Sequence, residues 1–91
     1  MLIRYFGAAK AASGVEEEIL PDGAGVSGGA SLEDLLEFLG SRTSAAPGGT
    51  PPLKTVISRS TFLVNGYAAR DRTLRLASGD TVDILPPFAG G

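Results

Sequence analysis

The rhythm of apolar and polar positions changes several times along the chain. Leu2-Ile3-Arg4-Tyr5-Phe6 is rich in branched and aromatic residues and reads as a strand. Strand geometry puts Ile3 and Tyr5 on one face and Leu2, Arg4 and Phe6 on the other. Arg4 is drawn to water, so the second face is expected to be the outer one, with Phe6 an exposed aromatic on it. Ala8 to Ser13 suits a short helical turn, ended by Gly14 at a C-cap position. Glu16 to Leu20 reads as a polar strand that returns against the first as a hairpin. Pro21-Asp22-Gly23 is a turn.

The clearest periodicity begins at Ser31. Leu32, Leu35, Leu36 and Leu39 fall at i, i+3, i+4 and i+7, one apolar stripe on a helix, and Phe38 widens it. Ser31 is a good N-cap, Glu33 and Asp34 suit the first turn, and Gly40 is expected to stop the helix. On either side lie loops by composition, Ala24 to Ala30 and Ser41 to Thr50. Thr50-Pro51-Pro52 starts a second short helix whose face is Leu53, Val56 and Ile57. Thr61 to Val64 then reads as a strand, and Asn65-Gly66 as a tight hairpin turn. Tyr67 to Asp71 returns as a short strand, while Leu74 to Leu76 fits no single element. Ser78-Gly79-Asp80 is a turn. Thr81 to Leu85 is the last strand, with Val82 and Ile84 facing inward. Thr81, Asp83 and Leu85 are expected on the outer face, and Pro86 and Pro87 end the ladder because neither can donate to it. A hairpin, a packed helix and further strands predict an α+β domain, a mixed sheet with one main helix on one face, in a ββαββ, ubiquitin-like order.

Composition narrows the chemistry. Ninety-one residues make one domain, expected over residues 1–87, with a flexible tail at 88–91. The chain has no cysteine and no histidine, so it offers no thiol nucleophile, no imidazole base and no common soft metal ligand. No metal site is expected. The net charge of −2 speaks against general nucleic-acid binding. Residues 1–45 carry three basic and seven acidic groups, and residues 46–91 five basic and three acidic, an asymmetry that suits oriented docking or ordinary surface charge. Arg70, Arg72 and Arg75 are expected on a solvated face. No apolar run approaches the ~20 residues that span a bilayer. The opening residues are strand-like rather than signal-like, and the expected location is cytoplasmic.

The end of the chain, "VDILPPFAGG", is the unusual feature. Pro86 and Pro87 favour an extended exit from the sheet, and Phe88 to Gly91 can reach roughly 14 Å beyond it. Gly90 and Gly91 carry no side chains, so the pair can enter a channel too narrow for other residues. The α-carboxylate of Gly91 is a poor electrophile until AMP is transferred to it from ATP. A sulfur nucleophile then opens the mixed anhydride and leaves a thiocarboxylate. This scheme needs no cysteine or histidine on the carrier. The structural alternative is a pair of glycines that simply fray.

Three segments, "IRYFGAAKAASG", "LVNG" and "SGDTVDILPPFAGG", together with the order of elements, resemble the MoaD/ThiS family of sulfur carriers. The resemblance is greatest to the MoaD branch, the small subunits of molybdopterin synthase. It implies a β-grasp fold and a non-catalytic, sulfur-carrying role, with Gly91 adenylated and then thiocarboxylated and Gly90 beside it. It also implies a MoeB/ThiF-like activating enzyme that binds ATP and Mg²⁺, a separate sulfur donor, and a MoaE-like large subunit whose active site receives the tail. There the sulfur would go to cyclic pyranopterin monophosphate to build the dithiolene of molybdopterin. This chain itself would bind no cofactor. Phe6, Lys10, Leu85, Pro86, Pro87, Phe88 and Ala89 are the expected partner-binding residues. Lys10-Ala11 stands where the family often has Arg-Glu, which keeps a charge but loses the planar fork. ThiS-like carriers for thiazole, carriers for cysteine, ubiquitin-like modifiers and a plain β-grasp binding module remain alternatives.

Overall fold

The computed structural model describes residues 1–20, 30–41 and 52–87. The elements run β1 (Leu2–Tyr5), α1 (Ala8–Ser13), β2 (Glu17–Ile19), α2 (Leu32–Ser41), α3 (Leu53–Ser58), β3 (Thr61–Val64), β4 (Tyr67–Ala68) and β5 (Thr81–Leu85). The turn expected at Pro21–Gly23, most of both expected loops and the start of the Thr50-Pro51-Pro52 segment lie outside the described residues.

The five strands form one mixed sheet in the order β2-β1-β5-β3-β4. The first and last strands lie side by side and parallel, with Leu2 opposite Thr81 and Tyr5 opposite Ile84. Every other pairing is antiparallel. This is the β-grasp, ubiquitin-like arrangement. The alternation read from the sequence sets which side is buried. Ile3, Tyr5, Val82 and Ile84 point inward and are no more than 1% exposed. They meet Leu32, Leu35, Leu36 and Leu39 of α2 and Leu53, Val56 and Ile57 of α3 in one core. Burying one such side chain contributes about 1.5–3 kcal/mol, so this single contact layer dominates the stability of so short a chain.

Local chemistry fixes the helix ends. The amide of Asp34 donates to Ser31 Oγ at 3.2 Å, and the amide of Ser31 donates back to Asp34 Oδ2 at 3.1 Å, a reciprocal capping box. The next amides, Leu32 and Glu33, donate to the carbonyls of Leu74 and Arg72. The segment that fitted no element in the sequence therefore closes the start of α2. Within it, Arg75 forms an isolated bridge with Ser31, and Leu76 is buried. Gly14 caps α1 in the left-handed conformation, with φ of 80°, as its position predicts.

Three expectations are corrected and one is refined. Gly40 does not stop α2, which runs on to Ser41. A Cβ at residue 40 would stand 3.3 Å from Lys54 Cβ, so the glycine lets α3 approach α2 closely. The return strand ends at Ala68 rather than Asp71, because Asp71 turns the chain by accepting from the amide and hydroxyl of Thr73. Asp83 lies on the outer face as expected but is not open to water there, being only 3% exposed beneath Arg4. Arg72 is half-buried rather than fully solvated, paired with Glu33 at 3.5 Å and lying over the Phe62 ring.

Candidate functional site

The outer face of the sheet is built in rows, and the register supplies them. The middle row is Glu17, Arg4, Asp83, Leu63 and Ala68, one residue from each strand in sheet order. Continuing each register past Arg4 by one outward residue brings Val15, Phe6, Leu85, Thr61 and Arg70 into the next row. Thr61 is paired directly with Leu85, and the amide of Phe6 donates to the carbonyl of Ile84 at 3.3 Å. This row lies at the end of β5 from which Pro86 and Pro87 leave the sheet.

Its apolar part lies at the neighbouring ends of β2, β1 and β5. Val15 is 43% exposed, Phe6 41%, and Leu85 half-buried. Pro86 is half-buried and Pro87 exposed beside them. Such apolar exposure is unremarkable at one residue but informative when contiguous. Gly7, with φ of 51° and ψ of −126°, turns the chain sharply after Phe6 and starts α1. That turn brings Lys10 back over the strand end, where it lines a shallow depression with Arg4, Tyr5, Phe6, Gly7, Glu16 and Glu17.

Arg4 and Asp83 brace this surface from the row beneath. Arg4 Nε donates to Asp83 Oδ1 at 2.6 Å, and Nη2 donates to Oδ2 at 2.7 Å. The hydrogen bonds first, and the carboxylate charge second, hold the guanidinium pKa above its ordinary value. The same guanidinium lies 5.9 Å from the centroid of the Phe6 ring. On the inner side, Tyr5 donates its hydroxyl to Glu18 Oε1, which fixes β2 against β1.

The structure thus brings together Phe6, Lys10, Leu85, Pro86 and Pro87 at one end of the sheet. Phe88, Ala89, Gly90 and Gly91 lie outside the described residues. Sequence reasoning missed Val15 and the Arg4–Asp83 pair. Val15 was legible from the hairpin register, since it falls opposite Phe6 when Leu2 faces Ile19. The ion pair needed the knowledge that β1 and β5 are neighbours. Among the described residues there is no group of three or more acidic or imidazole side chains placed to hold a metal. No described helix is long and apolar enough to cross a membrane.

A ubiquitin-like β-grasp domain with this strand order and this apolar strand end defines the class. The ThiS family matches residues 3–91, and the chain belongs to that family of MoaD- and ThiS-like sulfur carriers. Solved structures agree on the fold. A Pyrococcus furiosus protein assigned as molybdopterin converting factor subunit 1 is similar at 20% identity, with TM-score 0.68, covering 96% of this chain and 95% of that one. Small archaeal modifier protein SAMP1 of Haloferax volcanii is similar at 24% identity, with TM-score 0.65 and coverage of 99% and 97%. A complex of subunits 1 and 2 of the molybdopterin-converting factor of Helicobacter pylori contains a chain similar at 22% identity, with TM-score 0.62 and coverage of 99% and 96%. No curated protein matches the sequence significantly.

Proposed function

We propose that this chain carries sulfur on the carboxyl group of Gly91 as the small subunit of a molybdopterin synthase. The observation that carries this reading is the family match, which runs through the Gly-Gly end, on a chain whose last strand finishes inside an exposed apolar row. In the first step a Gly91 carboxylate oxygen attacks the α-phosphorus of ATP, with Mg²⁺ held by a MoeB/ThiF-like enzyme. An acyl adenylate forms and pyrophosphate leaves. Hydrosulfide supplied by the donor then adds to the carbonyl carbon, AMP and a proton depart, and a thiocarboxylate remains. The chain's own residues position this group. Pro86 and Pro87 direct the tail away from the sheet, Gly90 and Gly91 pass a narrow channel, and Val15, Phe6, Lys10 and Leu85 seat the domain on a partner. Phe88 and Ala89 would contact the channel entrance. The complex of two subunits formed by the Helicobacter pylori protein supports a MoaE-like partner.

Intact mass tests the chemistry. After incubation with a cognate activating enzyme, ATP, Mg²⁺ and sulfide, the chain should gain the mass difference of one sulfur for one oxygen. Deleting Gly91 should abolish the gain and leave the fold unchanged. A surviving gain would place the sulfur elsewhere and reject the mechanism. Co-purification with a MoaE-like subunit then separates this role from thiazole or cysteine sulfur supply.

A second reading is favoured by the similarity to small archaeal modifier proteins. The same adenylate could be opened by a lysine amine, giving an amide bond to another protein and releasing AMP. Lysines that carry the tryptic remnant Leu76–Gly91 in amide linkage would identify that outcome.

A further inference from the structure

The strand end that launches the tail is flanked on its far side by two arginines that pair with no described residue. Arg70 falls in the same outward row as Thr61 and Leu85 once the β3–β4 register, confirmed by the Ala69 amide bonding to the Phe62 carbonyl, is carried one residue further. Arg59 caps the C-terminal end of α3, two residues before Thr61, whose register partner is Leu85. Both are exposed, and neither side chain forms an ion pair or hydrogen bond among the described residues. Asp71, adjacent in sequence, stays ionised but turns its carboxylate to the amide and hydroxyl of Thr73 rather than to an arginine. Across the exit, Lys10 lines the same depression as two acids, Glu16 and Glu17. Among the described residues, the β3–β4 side of the exit therefore carries two exposed arginines outside any ion pair. The face of α2 carries Glu33, Asp34 and Glu37 instead.

Two long cationic side chains kept in water, beside an apolar row and with no internal role, add nothing to folding. They suit association. A carrier that visits its activating enzyme, unloads elsewhere and returns needs fast encounter and ready release. Exposed rim charges supply this, because they raise association rate more than they raise affinity. They also set orientation, since a chain of net charge −2 with a positive launching end presents that end to a negative surface.

We infer that Arg59 and Arg70 form an electrostatic guide that docks the tail exit on a carboxylate-lined lip at the channel of the activating enzyme. The inference rests on the carrier reading above. The guide acts on encounter and takes no part in the chemistry.

Arg59→Glu and Arg70→Glu test it, each against Lys54→Glu. Lys54 is exposed on α3 in the groove with Glu37 and Gly40, and its reversal changes net charge by the same amount. Initial rates of the sulfur-for-oxygen mass gain are measured with the cognate activating enzyme over a range of chain concentrations and salt. At low salt, each arginine reversal should lower kcat/KM about 3- to 10-fold with kcat unchanged, and should flatten its salt dependence. Lys54→Glu should change kcat/KM less than about 2-fold. Unchanged kcat/KM in the arginine variants, or an equal fall in Lys54→Glu, overturns the guide while leaving the carrier reading intact. No mass gain in the unsubstituted chain rejects the carrier reading itself, and the guide with it.

Discussion

Asp83 is held by Arg4 through two parallel N–H···O bonds of 2.6 and 2.7 Å, on a sheet face that is otherwise open. The carboxylate is buried while the guanidinium remains partly in water, with 44% of its side chain exposed. The two partners are therefore not equivalent. Removing Arg4 strands a buried charge, whereas removing Asp83 frees a cation that can turn to solvent. Arg4→Ala should lower Tm by roughly 5 °C and Asp83→Ala by less. The pair Arg4→Met with Asp83→Leu should recover much of the loss. Thermal unfolding of the three variants decides this; equal losses in the two single variants would contradict the asymmetry.

Phe6 is exposed enough to lose without collapse of the core, and it is braced from below by Arg4. Phe6→Ser should leave Tm within a few degrees of the parent. It should weaken binding to the MoaE-like subunit about 10- to 30-fold, as for a central aromatic anchor. Val15→Ser should weaken it less. Titration calorimetry provides the measurement, and unchanged affinity in both variants would remove the row from the docking surface.

Asn65 occupies the left-handed region with φ of 53°, and Gly66 follows at 85°. The side chain earns its place, donating to Asp80 Oδ1 at 2.9 Å and accepting from the Thr81 amide at 3.0 Å. Glycine tolerates that backbone but makes neither bond, and alanine fails on both counts. Stability should fall in the order parent, Asn65→Gly, Asn65→Ala, with about 1 kcal/mol between the last two. Chemical denaturation reads the order directly. An alanine variant as stable as the glycine variant would deny the backbone strain.

Asp80 accepts from the Ala77 amide at 2.8 Å and from the Asn65 side chain, which together hold its carboxyl below the ordinary 3.8. Asp71 is lowered in the same direction, chiefly by the Thr73 hydroxyl and then by its amide. Between the folded and unfolded values the unfolded chain binds more protons, so stability rises with pH there. The contribution is complete above 3.8 and disappears as pH falls through the folded values. Asp80→Asn should shrink the acid-side slope of stability against pH without altering it near neutrality. An unchanged slope would show that Asp80 is not among the groups responsible.

Much of this was legible from residue order. The period-2 patterns of Leu2–Phe6 and Thr81–Leu85 located the buried face, and the leucines of α2 located its cover, because both patterns are dictated by one burial requirement. Asn65-Gly66 announced its turn through backbone sterics alone. What escaped depended on partners distant in sequence. Gly40 looked like a helix stop, and only the approach of Lys54 reveals it as a spacer. Asp83 was legible as an outer-face residue, but only the parallel pairing of β1 with β5 supplies Arg4. Phe6 and Leu85 were marked by strand alternation as apolar residues on the outer face and Lys10 by resemblance, while Val15 and Arg70 joined their row only through strand register.

The placement of β5 has a mechanical side. It is the middle strand of five, bonded along its length to β1 on one edge and β3 on the other. A pull applied at Pro87 acts along the strand axis, so both ladders resist together in shear instead of opening one bond at a time. An edge strand pulled sideways would unzip. Force spectroscopy with handles at residues 1 and 87 loads the parallel β1–β5 pair in shear, and handles at residues 68 and 61 load the edge pair β4–β3 for comparison. An enzyme that tugs on the end of this chain is hauling on its best-anchored cable.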